Sequence, residues 1–121
     1  MEDTHVTLSV DMKKHRIRLH KVTYRLIGQP KYIQLLVNPN AKAVAVRAVE
    51  KMSKDNQAYR INKVKMESDH SFEIYSRSFC EKLWELTEGL ESGYSYRMNG
   101  KVFLSQNTAV FSLKTLHRTE R

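Results

Sequence analysis

The chain has 121 residues, 40% of them hydrophobic and 28% charged, a balance that excludes a mainly disordered, collagen-like or multi-span membrane protein and fits one compact domain. Lysine and arginine number 21 against 13 acidic residues, a formal net charge of +8 that suits a polyanionic partner or a soluble basic surface. Four glycines and two prolines leave little material for long flexible linkers.

Taken from the N-terminus, His5-Val6-Thr7-Leu8-Ser9-Val10 alternates polar and apolar residues, the period of a half-buried strand. Asp11 to His15 is polar and suits a tight connection. Arg16-Ile17-Arg18-Leu19-His20 alternates again, with Ile17 and Leu19 on one face and the basic residues on the other. Val22 to Ile27 predicts a short helix stopped by Gly28, with Pro30 just beyond. Tyr32 to Val37 is a strand, Asn38-Pro39-Asn40 a turn, and Ala43 to Val46 the returning strand of a hairpin. Glu50 to Gln57 is polar and lacks period, so it reads as a linker. Ala58 to Val64 reads as a strand, Lys65 to His70 as a polar loop, and Phe72 to Tyr75 as a second strand. Ser76 or Ser78 caps a helix that runs to about Glu88, with Phe79, Leu83 and Leu86 at i, i+4 and i+7. Tyr94 to Met98, the turn Asn99-Gly100 and Ala109 to Leu113 then predict a last hairpin, since Asn-Gly is the strongest short hairpin signal.

Each half thus reads strand, loop, strand, helix, strand, turn, strand. Ile17 and Leu19 correspond to Phe72 and Ile74, Tyr24 to Phe79, and Asn38-Pro39 to Asn99-Gly100. The expected fold is mainly β with two short helices, one near 22–27 and a longer one near 77–88. Two pseudo-repeated units, residues 1–49 and 58–121 joined by the linker 50–57, pack together because each alone has a thin core. The expected core includes Ile17, Leu19, Ile33, Leu35, Val44, Val46, Ile74, Phe79, Leu83, Tyr96 and Phe111.

This order, carried in the first half by Arg16 to Lys21, Leu26-Ile27-Gly28 and Tyr32 to Val37, resembles the swapped-hairpin domain of the AbrB and MraZ transcription factors. MraZ-type proteins carry two such units in one chain. The resemblance implies a barrel-like swapped-hairpin fold and DNA-facing cations on the matching strands. The MraZ-type Asp-x-x-x-Arg signature is not met, because Asp11 and Arg16 are five apart. The chain also resembles small bacterial proteins of no assigned function.

The charge is uneven. Residues 1–47 hold nine basic and three acidic residues, whereas residues 71–121 hold seven and six. The densest run, Lys13 to Lys21, has five Lys/Arg and two His in nine residues and no acid. Such a loop and strand can lie along a phosphate backbone and displace its counterions. The candidate contacts with duplex DNA are Lys13, Lys14, His15, Arg16, Arg18 and Lys21, with Arg25 and Lys31 at the margin. The guanidinium forks of Arg16 and Arg18 also match guanine acceptors, and His15 and His20 gain charge below about pH 6.5. The plainer reading is a solvated strand face guarded against edge pairing by its cations.

The histidines lack metal-ligand spacing, so neither a metal nor a cofactor is expected. Cys80 reads as a small buried hydrophobe, with a helix-end thiol of lowered pKa as the alternative. Tyr94 and Tyr96 share a strand face and read as cross-strand packing, with base stacking as the alternative. Trp84 reads as core edge or interface anchor. No catalytic constellation or small-molecule site is visible, and an enzyme is not expected. The alternative function is a protein-interaction module, using the acidic helix of Glu81, Glu85, Glu88 and Glu91, or a structural protein, with no nucleic-acid role and with a homodimer left open. The polar start Met1 to His5, the single cysteine and the absence of an apolar run of membrane length predict a cytoplasmic protein.

Overall fold

The two alternating segments at the start of the chain become β1 (His5–Asp11) and β2 (Arg16–His20), an antiparallel hairpin that pairs Leu8 with Leu19 and Val10 with Ile17. All four of these side chains are buried, so the period-2 pattern alone determines which face looks inward. The computed structural model describes residues 4–52 and 57–119. After β2 come α1 (Lys21–Leu26), β3 (Tyr32–Asn38) and β4 (Ala43–Val49). The second half supplies β5 (Ala58–Arg60), α2 (Lys63–Asp69), β6 (Ser71–Tyr75) and α3 (Arg77–Leu86). It closes with β7 (Ser95–Phe103), β8 (Thr108–Ser112) and the short β9 (His117–Arg118).

The strands form one antiparallel, nearly closed, barrel-like sheet in the order β5-β3-β4-β8-β7-β1-β2-β6, with β9 beside β7. That order has an approximate twofold character. The hairpin β3–β4 corresponds to β7–β8, and the pairing of β1 with β7 corresponds to that of β5 with β3. Equivalent strands pair directly, β2 with β6 and β4 with β8. Ile17 therefore faces Ile74 and Leu19 faces Phe72, the same residues that correspond in the sequence repeat. The correspondence breaks where β5 and β6 stand at the two ends of the sheet order, with α2 between them in the chain.

The core is a single cluster that includes Leu8, Ile17, Leu19, Ile33, Val46, Met98 and Phe111, all at or near zero exposure. Burying one such side chain contributes roughly 1.5–3 kcal/mol. All the expected core residues are buried except Leu35, which is half-buried and packs against the cluster from outside. The start of α3 follows its residue type: the Ser76 Oγ accepts from Phe79 N at 3.2 Å. Gly28, at φ +102°, ends the turn after α1 in a conformation that favours glycine.

Four expectations are corrected. Asn99-Gly100 is not a turn but lies inside β7; a Cβ on Gly100 would meet the Val110 carbonyl oxygen and the Phe111 ring. The chain reverses later, through a 3-10 turn at Leu104–Gln106 and a left-handed Asn107. Residues 65–70 are mostly helix rather than loop, so there are three helices and not two, and β5 stops at Arg60. The Asn62 side chain accepts from Lys65 N at 3.1 Å, and Met66 is the one buried residue of this helix, too little to produce a sequence period. Helix α3 ends at Leu86, because Thr87 is already extended. In the linker, Glu50–Met52 and Gln57 are neither helix nor strand, and Ser53–Asn56 lie outside the described residues.

Candidate nucleic-acid interface

The turn between β1 and β2 is built by Asp11. Its Oδ1 accepts from Lys13 N at 3.0 Å and from Lys14 N at 3.2 Å, an Asx turn. Met12 turns into the core, which leaves Lys13 and Lys14 exposed at the tip. His15 takes a left-handed φ of 53°, and its carbonyl accepts from Ser76 N at 2.9 Å, so it ties the hairpin to the start of α3.

Outward side chains of adjacent strands line up in rows across the sheet. One row runs Glu73 (β6), Arg18 (β2), Ser9 (β1), Arg97 (β7) and His117 (β9). Arg16 stands opposite Asp11 on β1 and Tyr75 on β6. Above these rows lies a groove of about 700 Å³ lined by Lys13, Lys14, Arg16, Arg18 and Arg97, with Asp11 as the sole carboxylate among its lining residues.

The cations are not equivalent. Arg16 Nη2 lies 3.2 Å from Asp11 Oδ2, and its Nη1 lies 3.2 Å from Glu73 Oε2. Arg18 Nη2 lies 2.9 Å from the same Glu73 oxygen. The hydrogen bond from Arg18 holds the Glu73 carboxyl below its ordinary pKa, with the charges of Arg16 and Arg18 adding to the shift and partial burial opposing it. Among the described residues Lys13, Lys14 and Arg97 have no ion-pair partner. At the groove's rim the Arg118 guanidinium sits 4.3 Å from the centre of the Tyr94 ring and 3.7 Å from Glu91 Oε1.

His20 faces the same row, with Nε2 3.1 Å from Ser9 Oγ. Burial, then the nearby charges of Arg97 and Arg18, lower its pKa below 6.5. It therefore gains its charge only at a lower pH than the 6.5 or so expected from the sequence.

The structure gathers Lys13, Lys14, Arg16 and Arg18 but not the other candidates. Lys21 is paired to Glu67 at 2.8 Å and, with Arg25, lines a separate depression of about 560 Å³. Lys31 is exposed in the connection to β3, where its carbonyl accepts from Ile61 N. Arg97 and Arg118 were not candidates. Arg97 carries a strand-period signal, lying between buried Tyr96 and Met98, but nothing local in the sequence places it beside Ser9. Tyr96 is core, and its hydroxyl accepts from Glu91 N at 2.8 Å, so the paired-tyrosine stacking platform is not formed.

Cys80 is fully buried, and burial, with Asp11 adding to it, pushes its thiol up to about 11, opposite to a reactive cysteine. Among the described residues no helix is long and apolar enough to cross a membrane. Comparison with known proteins finds no family model, no curated protein and no solved structure that matches this chain.

Proposed function

We propose that this protein binds duplex DNA through the basic groove over β2, β1 and β7 and acts as a small transcriptional regulator of the AbrB/MraZ-like kind. The observation that carries this reading is the convergence of five cationic side chains, from a hairpin and from a strand 80 residues later, on one groove with a single lining carboxylate. The pairing of equivalent strands from two half-chain units supports the likeness to swapped-hairpin regulators.

Strand spacing limits the mode of contact. Five strands at about 4.8 Å make a face wider than the roughly 12 Å major groove, so the sheet lies against the backbone. Only the narrow β1–β2 tip, with Lys13 and Lys14, is slim enough to reach into a groove. Arg16 and Arg18, held by carboxylates, are thus poor candidates for base readers.

Lys13, Lys14 and Arg97, without an ion-pair partner among the described residues, predict a slope of log K against log salt of roughly −2.7, or about 40-fold weaker binding from about 50 to 200 mM salt. Anisotropy titrations of a labelled duplex measure it. Lys14→Ala lowers the slope by about one and weakens all sequences alike. A flat titration at about 50 mM salt rejects the reading. It would favour a protein-binding role through α3, where Trp84 is 47% exposed beside Glu81 and Glu85.

A further inference from the structure

We propose that Glu73 sets the affinity of this groove for a phosphate backbone, because its carboxylate holds Arg16 and Arg18 and a DNA phosphate must displace it to recruit them. The proposal rests on the DNA-binding reading above and names what tunes it.

One oxygen, Glu73 Oε2, takes both Arg16 Nη1 at 3.2 Å and Arg18 Nη2 at 2.9 Å. Glu73 belongs to β6, outside the charged run, and the register of β2 with β6 places it opposite Arg18. The run, which contains no acid of its own, therefore meets a carboxylate from the other half of the chain in addition to Asp11 beside it. Two of the five groove cations are engaged before any ligand arrives, while Lys13, Lys14 and Arg97 remain unpaired among the described residues.

The exchange is chemically balanced. A guanidinium forms charge-assisted hydrogen bonds of similar kind with carboxylate and phosphate, so replacing one by the other changes little at the arginines. What does not cancel is the charge of Glu73 itself, which stays at the edge of the groove and repels the incoming backbone. Its side chain is 28% exposed, so phosphate and water reach it without opening the core. A pair this close to solvent adds little to stability, and its removal changes binding more than folding.

Glu73→Gln keeps the size and a hydrogen-bond acceptor and removes the charge. Duplex titrations from about 50 to 200 mM salt compare it with the parent, with Lys14→Ala and with Glu81→Gln, which removes one charge from α3 outside the groove. The expected result for Glu73→Gln is binding about tenfold tighter near 0.1 M salt and a slope steeper by about one, from Arg18, because Asp11 still holds Arg16. Glu81→Gln changes binding much less. Glu73→Asp retracts the carboxylate by one methylene and shifts binding in the same direction by less, which keeps the test available if the glutamine variant folds poorly. Equal gains from Glu73→Gln and Glu81→Gln overturn the proposal by reducing it to net charge. Unchanged or weaker binding by Glu73→Gln, with Lys14→Ala still weakening the parent, overturns it and leaves the DNA reading intact. No binding by either parent or Glu73→Gln at the lowest salt removes both.

Discussion

Burial shifts the titration of two side chains, Cys80 and His20, each toward its neutral form. Cys80 is at zero exposure on the inner face of α3, and its thiol is pushed up to about 11. Iodoacetamide at pH 8 is expected to leave it unlabelled in the folded protein and to label it fully in denaturant; intact-mass measurement checks this. At His20 the sign follows from a lowered pKa. Above pH 6.5 folded and unfolded chains are both neutral there, and stability is complete. As pH falls below 6.5 the unfolded chain binds a proton that the folded one refuses, so stability is lost through the window down to the lowered pKa. Urea melts at pH 7.5 and 5.5 should show a smaller acid loss in His20→Gln than in the parent. Leu35 adds a packing case: half-buried beside the core, it should lose less on truncation to alanine than Ile33, for which roughly 2–5 kcal/mol is expected.

At the scale of elements, β7 and α2 show local signals overruled or hidden. Asn99-Gly100 is a strong turn signal in isolation, yet Gly100 pairs with Val6 on one side and Phe111 on the other. The glycine is there because the Phe111 ring and the Val110 carbonyl fill the space of a side chain. Gly100→Ala is therefore expected to destabilise by ~1–3 kcal/mol, as overpacking does. A thermal or urea melt that matches the parent would show that β7 and β8 separate easily at this point. Helix α2 is held by the Asn62 cap, the buried Met66 and the ion pair of Glu67 with Lys21. Loss of the cap in Asn62→Ala should cost about 1 kcal/mol, with α2 amides the first helical ones to exchange.

For the whole molecule, the two halves do not fold side by side; they share one sheet. Among the described residues, four of the eight strand pairings join a strand of the first half to one of the second: β1 with β7, β2 with β6, β3 with β5 and β4 with β8. Residues 1–49 alone lack all four partners, so that fragment should show no cooperative melt by circular dichroism. In the intact chain, amides of β8 and β7 at the middle of the sheet should exchange slowest, and those of the three-residue β5 at its end soonest. The groove inherits this architecture, since Arg97 reaches Lys13, Lys14 and Arg18 only because β7 lies against β1.

The sequence by itself determined most strands, the inward faces, the β3–β4 hairpin, the Ser76 cap and the basic run from Lys13 to Lys21. These depend on alternation, turn chemistry and capping, which act within a few residues. The repeat was legible too, because Ile17 and Leu19 match Phe72 and Ile74 in period even without identity. Only the tertiary structure decided that those strands pair with one another and that Gly100 sits in a strand. It also decided that Arg97 joins the groove while Lys21, Arg25 and Lys31 do not, and that Glu73 restrains two of the arginines. Each of these depends on register between strands distant in the chain. Cross-strand neighbours, unlike periodicity, are set by packing the whole sheet at once and leave no local mark on either partner.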